Sequence, residues 1–373
     1  MTEPSTPATG APGARRVKGR RRKPHTTRRK VLLSTAWTTA ALAVLGGAGA
    51  GYLYFQLNGN LTGVDIDNQL RDDDRPPNVD NGSLDILVMG SDSRSGANAK
   101  YGQDQGGARS DTAMIVHVYE GHKKASVVSI PRDTLITRPD CPGRDGGTAA
   151  GGQRQMFNTA YEVGGPACAV KTVESLSGIR MDHYLEVDFT GFKKLIDTLG
   201  GVDITTKERI DDPKSHLHLA PGPHTLDGEQ SLGLVRTRHA VGDGSDLGRI
   251  QLQQAFVKAL IDQVKDVGLF SSWKKSYDLA DTATSAITTD SKLDSVKDLA
   301  AFASGLRGIG GGDMKMVTLP VQYDPADPNR VLPQEKADAQ VWAALRADRP
   351  IPASATEDSA GDKGSVGAVV DGG

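Results

Sequence analysis

Cysteine is scarce in this chain, with two in 373 residues. That excludes a disulfide-dense miniprotein and a four-cysteine zinc module. Net charge is nearly absent too, at −2, and the 44 glycines follow no Gly-X-Y period, so a collagen-like rod is excluded. There is also no internal repeat. Apolar residues make up 37% of the chain, enough to bury at least one core of ordinary domain size.

The near-neutral total averages two unlike parts. Residues 1–30 carry ten Arg or Lys against the single acid Glu3, and the remainder holds 34 basic and 45 acidic side chains. A body with a net charge of −11 is not a nucleic-acid binder. From Val31 to Leu57 no residue is charged. At 1.5 Å per residue this run can cross the ~30 Å hydrocarbon layer as one helix. The basic cluster before it places residues 1–30 in the cytoplasm and everything after Leu57 outside the cell. A cleaved signal peptide is the rival reading, but its apolar core is usually about 7–15 residues long, shorter than this run. The expectation is therefore a single-pass membrane protein with a cytoplasmic tail (1–30) and a transmembrane helix (31–57). A polar stem (58–83), one α/β domain (84–348) and a disordered tail (349–373) should follow. Outside the cell Cys141 and Cys168 could pair, although their spacing does not decide it.

Within the domain, Leu84–Met89, Thr112–Tyr119 and Ala125–Ile130 read as short strands, the last two joined closely enough for a hairpin. Helices are expected over 167–176, 189–199, 246–267 and 335–347, with strands at 202–206 and 314–319 between them, an α/β pattern. In the long helix, Ile250, Val257, Leu260, Ile261 and Val264 form an apolar stripe. If the hairpin is antiparallel, the ends of the first three strands share one rim. That rim gathers Asp92 and Arg94, Arg109 and Asp111, and Arg132 and Asp133.

Arg236 and Arg238 lie two residues apart, on one side of an extended backbone, and make a two-guanidinium fork. Arg249 and Gln253 share a face at the start of the next helix. Arginine forks beside a helix N-terminus suit a phosphate or pyrophosphate. Acids beside such an anion make sense as ligands of a bridging Mg²⁺, which assigns that role to Asp92 and Asp111.

The segments GSDSR, ARSDTAMIVHV, SVVSIPRDT, FNTAYEVGG, DHYLEVDFTGFKKLIDTLGGVDI, LDGEQSLGLVRTRH and DLGRIQLQQAF occur in an order and character that resemble the LytR-CpsA-Psr family of membrane-anchored cell-wall enzymes. The resemblance spans residues 84–268. It implies a domain with a central mixed β-sheet flanked by helices. It also implies Mg²⁺-assisted (alternatively Mn²⁺-assisted) transfer of a glycopolymer phosphate from a polyprenyl-pyrophosphate carrier to a peptidoglycan sugar hydroxyl, at the outer face of the cell membrane. By motif, Asp92 and Asp111 correspond to the metal-associated acids. Arg109, Arg132, Arg236 and Arg238 correspond to arginines around the pyrophosphate, and Gln253 to a polar partner of that group.

Two positions depart from the pattern. The family often has Lys where this chain has Met156, before Phe157-Asn158, and Arg before Gln253 where this chain has Leu252. Arg154 and Arg249 are the candidates to replace those cations. Asp133 either orients Arg132 or acts directly; Asn158 and Tyr161 either line the site or fix its loop. His216, His218 and His224 sit in a Pro/Gly loop without helical spacing, which argues against zinc. The alternatives to a transferase are a non-catalytic envelope protein or regulator that holds lipid pyrophosphate, and a pyrophosphatase.

Overall fold

The computed structural model describes residues 47–49, 51–91, 110–238, 246–266, 272–357, 359–362 and 370–371. Two compact units divide at residue 53. Of the first, only 47–49 and 51–53 are described, as helix. Most of the expected membrane run 31–57 therefore lies outside the described residues. Among the described residues no helix is long and apolar enough to cross a membrane.

The second unit is built on a seven-stranded mixed sheet. Its strands are β1 (Thr62–Val64), β2 (Leu84–Ser91), β3 (Ser110–Val118), β4 (Ala125–Ile130), β5 (His183–Asp188), β6 (Ile287–Asp290) and β7 (Met314–Thr318), in the order β1-β6-β5-β2-β3-β4-β7. The pairs β1/β6, β2/β5 and β4/β7 are parallel and the other three antiparallel. All six residues of β4 are buried. Helices pack on both faces of a central strand, so its sequence ASVVSI is continuously apolar or small rather than alternating. Each Val or Ile buried there contributes roughly 1.5–3 kcal/mol.

Register fixes the rim. Gly90 lies opposite Thr112, Ala113 opposite Ile130, and Ser91 beside Asp188. The end of β2, the start of β3 and the ends of β4 and β5 therefore open on one edge. Helix α1 (Asn158–Ser177) is longer than the expected 167–176, and is bent where Gly165 takes φ 62° before Pro166. Helix α2 (Phe189–Leu199) starts at Asp188, whose carboxylate caps the Gly191 N–H at 2.7 Å, and stops at left-handed Gly200. Helix α3 (Gly228–Arg236) opens with a capping box between Asp227 and Gln230. Helix α4 (Asp246–Asp266) runs beneath the rim. Helices α5 (Trp273–Ala286), α6 (Val296–Leu306) and α7 (Glu335–Arg346) follow.

Three expectations need correction. The polar stem 58–83 is partly domain. Its β1 pairs with β6, Asn60 bonds Asp281 at 2.9 Å, and Arg75 is buried against Glu174 at 2.6 Å. Acid-rich composition hid this, because Asp72, Asp74 and Arg75 find partners more than 90 residues away in Arg180, Lys171 and Glu174. The tail from 349 is likewise partly ordered. Ile351, Ala355 and Ala360 join the main core, and Val370 pairs with Thr206. Small apolar residues scattered among Gly and Ser give no periodic signal. Finally, α4 is not gripped by a single stripe. Leu247 and Ile250 enter one core cluster, Leu252, Phe256 and Ala259 a second, and Val257 and Ile261 pack on a third.

Cys141 and Cys168 form a disulfide with Cα atoms 5.2 Å apart, tying the loop after β4 to α1.

Candidate functional site

A cavity of about 350 Å³ opens at the rim. That is within the range of small-ligand sites. The sheet edge supplies Gly90, Asp111, Thr112, Arg132 and Phe189; the α3 exit supplies Arg236 and Arg238; α4 supplies Arg249 and Gln253. Arg236 and Arg238 both line the cavity, with the residue between them in extended backbone. Arg236 is the last residue of α3, and the chain turns out at Thr237 (ψ 132°). Thr237 is fully buried, its hydroxyl bonded to the Gly233 carbonyl at 2.9 Å and to Ser215 Oγ at 2.8 Å. The Arg238 N–H donates to Asp212 Oδ2 at 3.1 Å, and the Arg236 guanidinium lies 5.1 Å from the Phe189 ring centroid. Thr237 thus acts as the pin of the fork.

Asp111 accepts from Arg132 Nη1 at 2.5 Å, and its backbone carbonyl accepts from Arg249 Nη2 at 2.9 Å. Burial pushes the Asp111 pKa up, but Arg249, Arg132 and Arg238 outweigh it and hold the carboxyl below its ordinary range. Arg249 is 3% exposed, and burial pulls its pKa down to about 10, which leaves it charged at neutral pH. Burial opposes the charge of Arg132 too, yet Asp111, Asp246 and Asp133 raise its pKa overall. Gln253 donates to the Val235 carbonyl at 2.9 Å, so its amide braces α3 against α4.

Asp246, the first residue of α4, is a site residue the sequence reading missed. Its Oδ1 meets Arg249 at 2.5 Å, Arg238 at 3.3 Å and Arg132 at 3.6 Å, without hydrogen-bond geometry to any of them. It is the counter-charge that lets three guanidiniums converge. The signal was present in the DLGR segment, where an acid precedes Arg249 by one helical turn. With Lys214, five cations line this cavity against the acids Asp111 and Asp212, with Asp246 behind them, so the lining is net positive among the described residues. Such a lining suits an anion.

Asp92, Arg94 and Arg109 lie outside the described residues. Asp133 meets Arg132 at 3.4 Å and Arg330 at 3.5 Å, so it orients arginines from beside the cavity. Of the two candidate replacement cations, Arg249 is in the site. Arg154 is instead paired with Asp324 at 2.5 Å and does not line this cavity. Tyr161 donates to Glu186 at 2.6 Å, behind the rim. His218 faces Asp211 at 2.7 Å and His224 the Ala220 carbonyl at 2.7 Å.

The family model of LytR_cpsA_psr matches residues 53–347. The chain belongs to the LytR-CpsA-Psr family. It is 32% identical over 269 residues to the cell wall biosynthesis protein LcpA of Corynebacterium glutamicum, covering 65% of this chain and 51% of that one. The chain thus spans about half the length of that relative. It is 30% identical over 302 residues to the polyisoprenyl-teichoic acid–peptidoglycan teichoic acid transferase TagT of Bacillus subtilis, covering 78% and 87% of the two chains. A solved structure of TagT bound to LI-WTA superposes with a TM-score of 0.56 at 26% identity, over 76% of this chain and 98% of that one. The LytR-CpsA-Psr fold, an α/β domain with a central mixed sheet, is that of the second unit.

Proposed function

We propose that the chain transfers a glycopolymer phosphate from a polyprenyl-pyrophosphate carrier to a peptidoglycan sugar hydroxyl at the outer face of the cell membrane. The observation that carries this reading is the rim cavity, whose net positive lining complements a diphosphate diester. The name of TagT supports the donor and acceptor classes.

In this reading Arg236, Arg238 and Arg132 grip the diphosphate. The acceptor oxygen attacks the glycan-side phosphorus as its hydroxyl proton passes to Asp92 or Asp111, whichever is not committed to metal, the bond from that phosphorus to the bridging oxygen breaks, and the lipid phosphate leaves with the charge. Phosphoryl transfer asks mainly for positioning and charge neutralisation. Guanidiniums already fixed by Asp246 and Phe189 provide both without reorganising. Asp111 starts ionised; its depressed pKa makes it a weak proton acceptor and a good cation ligand. A hard carboxylate oxygen beside substrate phosphates is the usual donor set for Mg²⁺, so Asp111 fits the ion, with Mn²⁺ as the alternative; Asp92 is assigned beside it by motif alone. Bound there, the ion would neutralise phosphate charge. A non-catalytic binder of pyrophosphate has little use for such acids.

The test is to incubate the chain with Mg²⁺, a prenyl-pyrophosphate glycan and peptidoglycan oligomers, following lipid phosphate release and the mass of the acceptor. Turnover that is lost in Asp111→Ala and after chelation is expected. A wild type that makes no heavier acceptor overturns the transferase reading.

A further inference from the structure

At the end of the sheet opposite the rim, where β2 begins and β3 finishes, a row of polar side chains crosses the strands. Asp85 lies opposite His117, and His117 opposite Ser126 on β4, so the three share one face. His117 is fully buried. Its Nδ1 lies 2.8 Å from Asp85 Oδ1 and its Nε2 3.0 Å from Asp348 Oδ1, and the Tyr119 ring meets it edge-on at 4.8 Å. An imidazole between two carboxylates donates to both only when both its nitrogens carry a proton. The neutral ring has a single N–H and leaves one carboxylate facing a lone pair.

Four elements surround the ring. The start of β2 supplies Asp85, whose backbone N–H donates to Asp182 Oδ2 at 2.8 Å. The end of β3 supplies Tyr119 and then Glu120, whose backbone N–H donates to Asp348 Oδ2 at 3.3 Å. The turn after α7 supplies Asp348 and Arg349; the side chains of Glu120 and Arg349 are exposed. From β4 comes Ser126, whose hydroxyl lies 2.7 Å from that of Tyr119 and does not titrate. Burial opposes the charge of His117, yet Asp85 and Asp348 outweigh it and raise its pKa above the ordinary 6.5. Burial also raises the Asp85 carboxyl, against the pull of His117, which makes Asp85 the stronger acceptor. A neutral ring therefore keeps its N–H on Asp85 and lets Asp348 go.

Asp348 begins a strap, residues 349–357 and 359–362, that leads to the catalytic rim. Lys315 on β7 donates to the Ile351 carbonyl at 2.7 Å, and Ile351, Ala355 and Ala360 enter the main core. Gln251 on α4 donates to the Gly361 carbonyl at 2.7 Å. Helix α4 carries Arg249 and Gln253 into the rim cavity, so the strap joins the histidine to that helix. We propose that His117, Asp85 and Asp348 form a pH-operated latch on this strap, closed by the imidazolium and opened when loss of the Nε2 proton frees Asp348. A folded pKa above the unfolded one means that the latch stabilises fully below about pH 6.5 and weakens as pH rises through the folded value. The latch does not depend on what the rim binds.

Hydrogen exchange of the full-length chain in detergent, at about pH 6 and about pH 9, with rates taken relative to an unstructured chain, tests the latch. The bonded amides of Ala355, Thr356 and Ser359 are expected to lose at least tenfold in protection at the higher pH, while amides of β4 keep theirs. Asp348→Asn suits the left-handed backbone at that position, φ 50°, and offers the unprotonated Nε2 an amide N–H. Its strap should stay protected at both pH values. Equal strap protection at the two pH values in the wild type, a loss shared by β4, or a loss that Asp348→Asn does not prevent overturns the latch.

Discussion

The fork arginines sit on either side of the buried Thr237, which makes them separable targets. Removing a preorganised donor that stabilises developing charge costs about 10²–10³ in rate. Arg236→Ala and Arg238→Ala should each lower kcat for lipid phosphate release by that factor while far-ultraviolet dichroism stays that of the wild type. The Arg-x-Arg spacing announced the fork, but the reason for it was not legible. It depends on a helix ending at Arg236 and on a threonine bonded to Ser215, 22 residues earlier. Asp246 was hidden for the same reason, since its partners come from three separate segments. Asp338 has no role at the rim, yet it yields a clean prediction. Burial raises its carboxyl from the ordinary 3.8 to about 7, and neither oxygen has a hydrogen-bond partner. The unfolded chain ionises first as pH rises, so the fold loses stability from about pH 4 upward until Asp338 itself ionises near pH 7. Asp338→Asn should therefore raise Tm more at pH 8 than at pH 4, measured by thermal unfolding.

Elements with a periodic pattern were legible to within a residue or two: β4, α2 and the strand Val202–Thr206. Each is bounded by turn residues and buried in a regular way. Helix α1 was read short because Gly165 and Pro166 break its pattern, although the helix resumes across the bend. Two further residues fix that helix to the loop after β4, since Cys168 bonds Cys141 across 27 positions. Closing a loop of this length is worth about 3–4 kcal/mol in chain entropy. Cys168→Ser should lower the unfolding free energy by about 2–4 kcal/mol in denaturant titrations, with wild-type protein in reductant showing a similar loss.

At the scale of the whole molecule, composition marked the domain's middle well and its ends poorly. Residues 60–75 and 351–362 read as polar connector and tail, but close the fold through long-range contacts that leave no local period. Arg75 and Glu174 show the consequence, with both side chains 1% exposed and paired at 2.6 Å. Removing one partner of a buried pair typically costs about 3–5 kcal/mol. Arg75→Ala should destabilise the domain by that amount in chemical denaturation, even though Arg75 lies in the stretch expected to be stem. The central claim is that the rim grips a diphosphate, and a crystal structure of the chain with a prenyl-pyrophosphate glycan tests it most directly. The account predicts both phosphates among Arg132, Arg236 and Arg238, next to Asp111; a headgroup bound elsewhere, with that cavity empty, would contradict it.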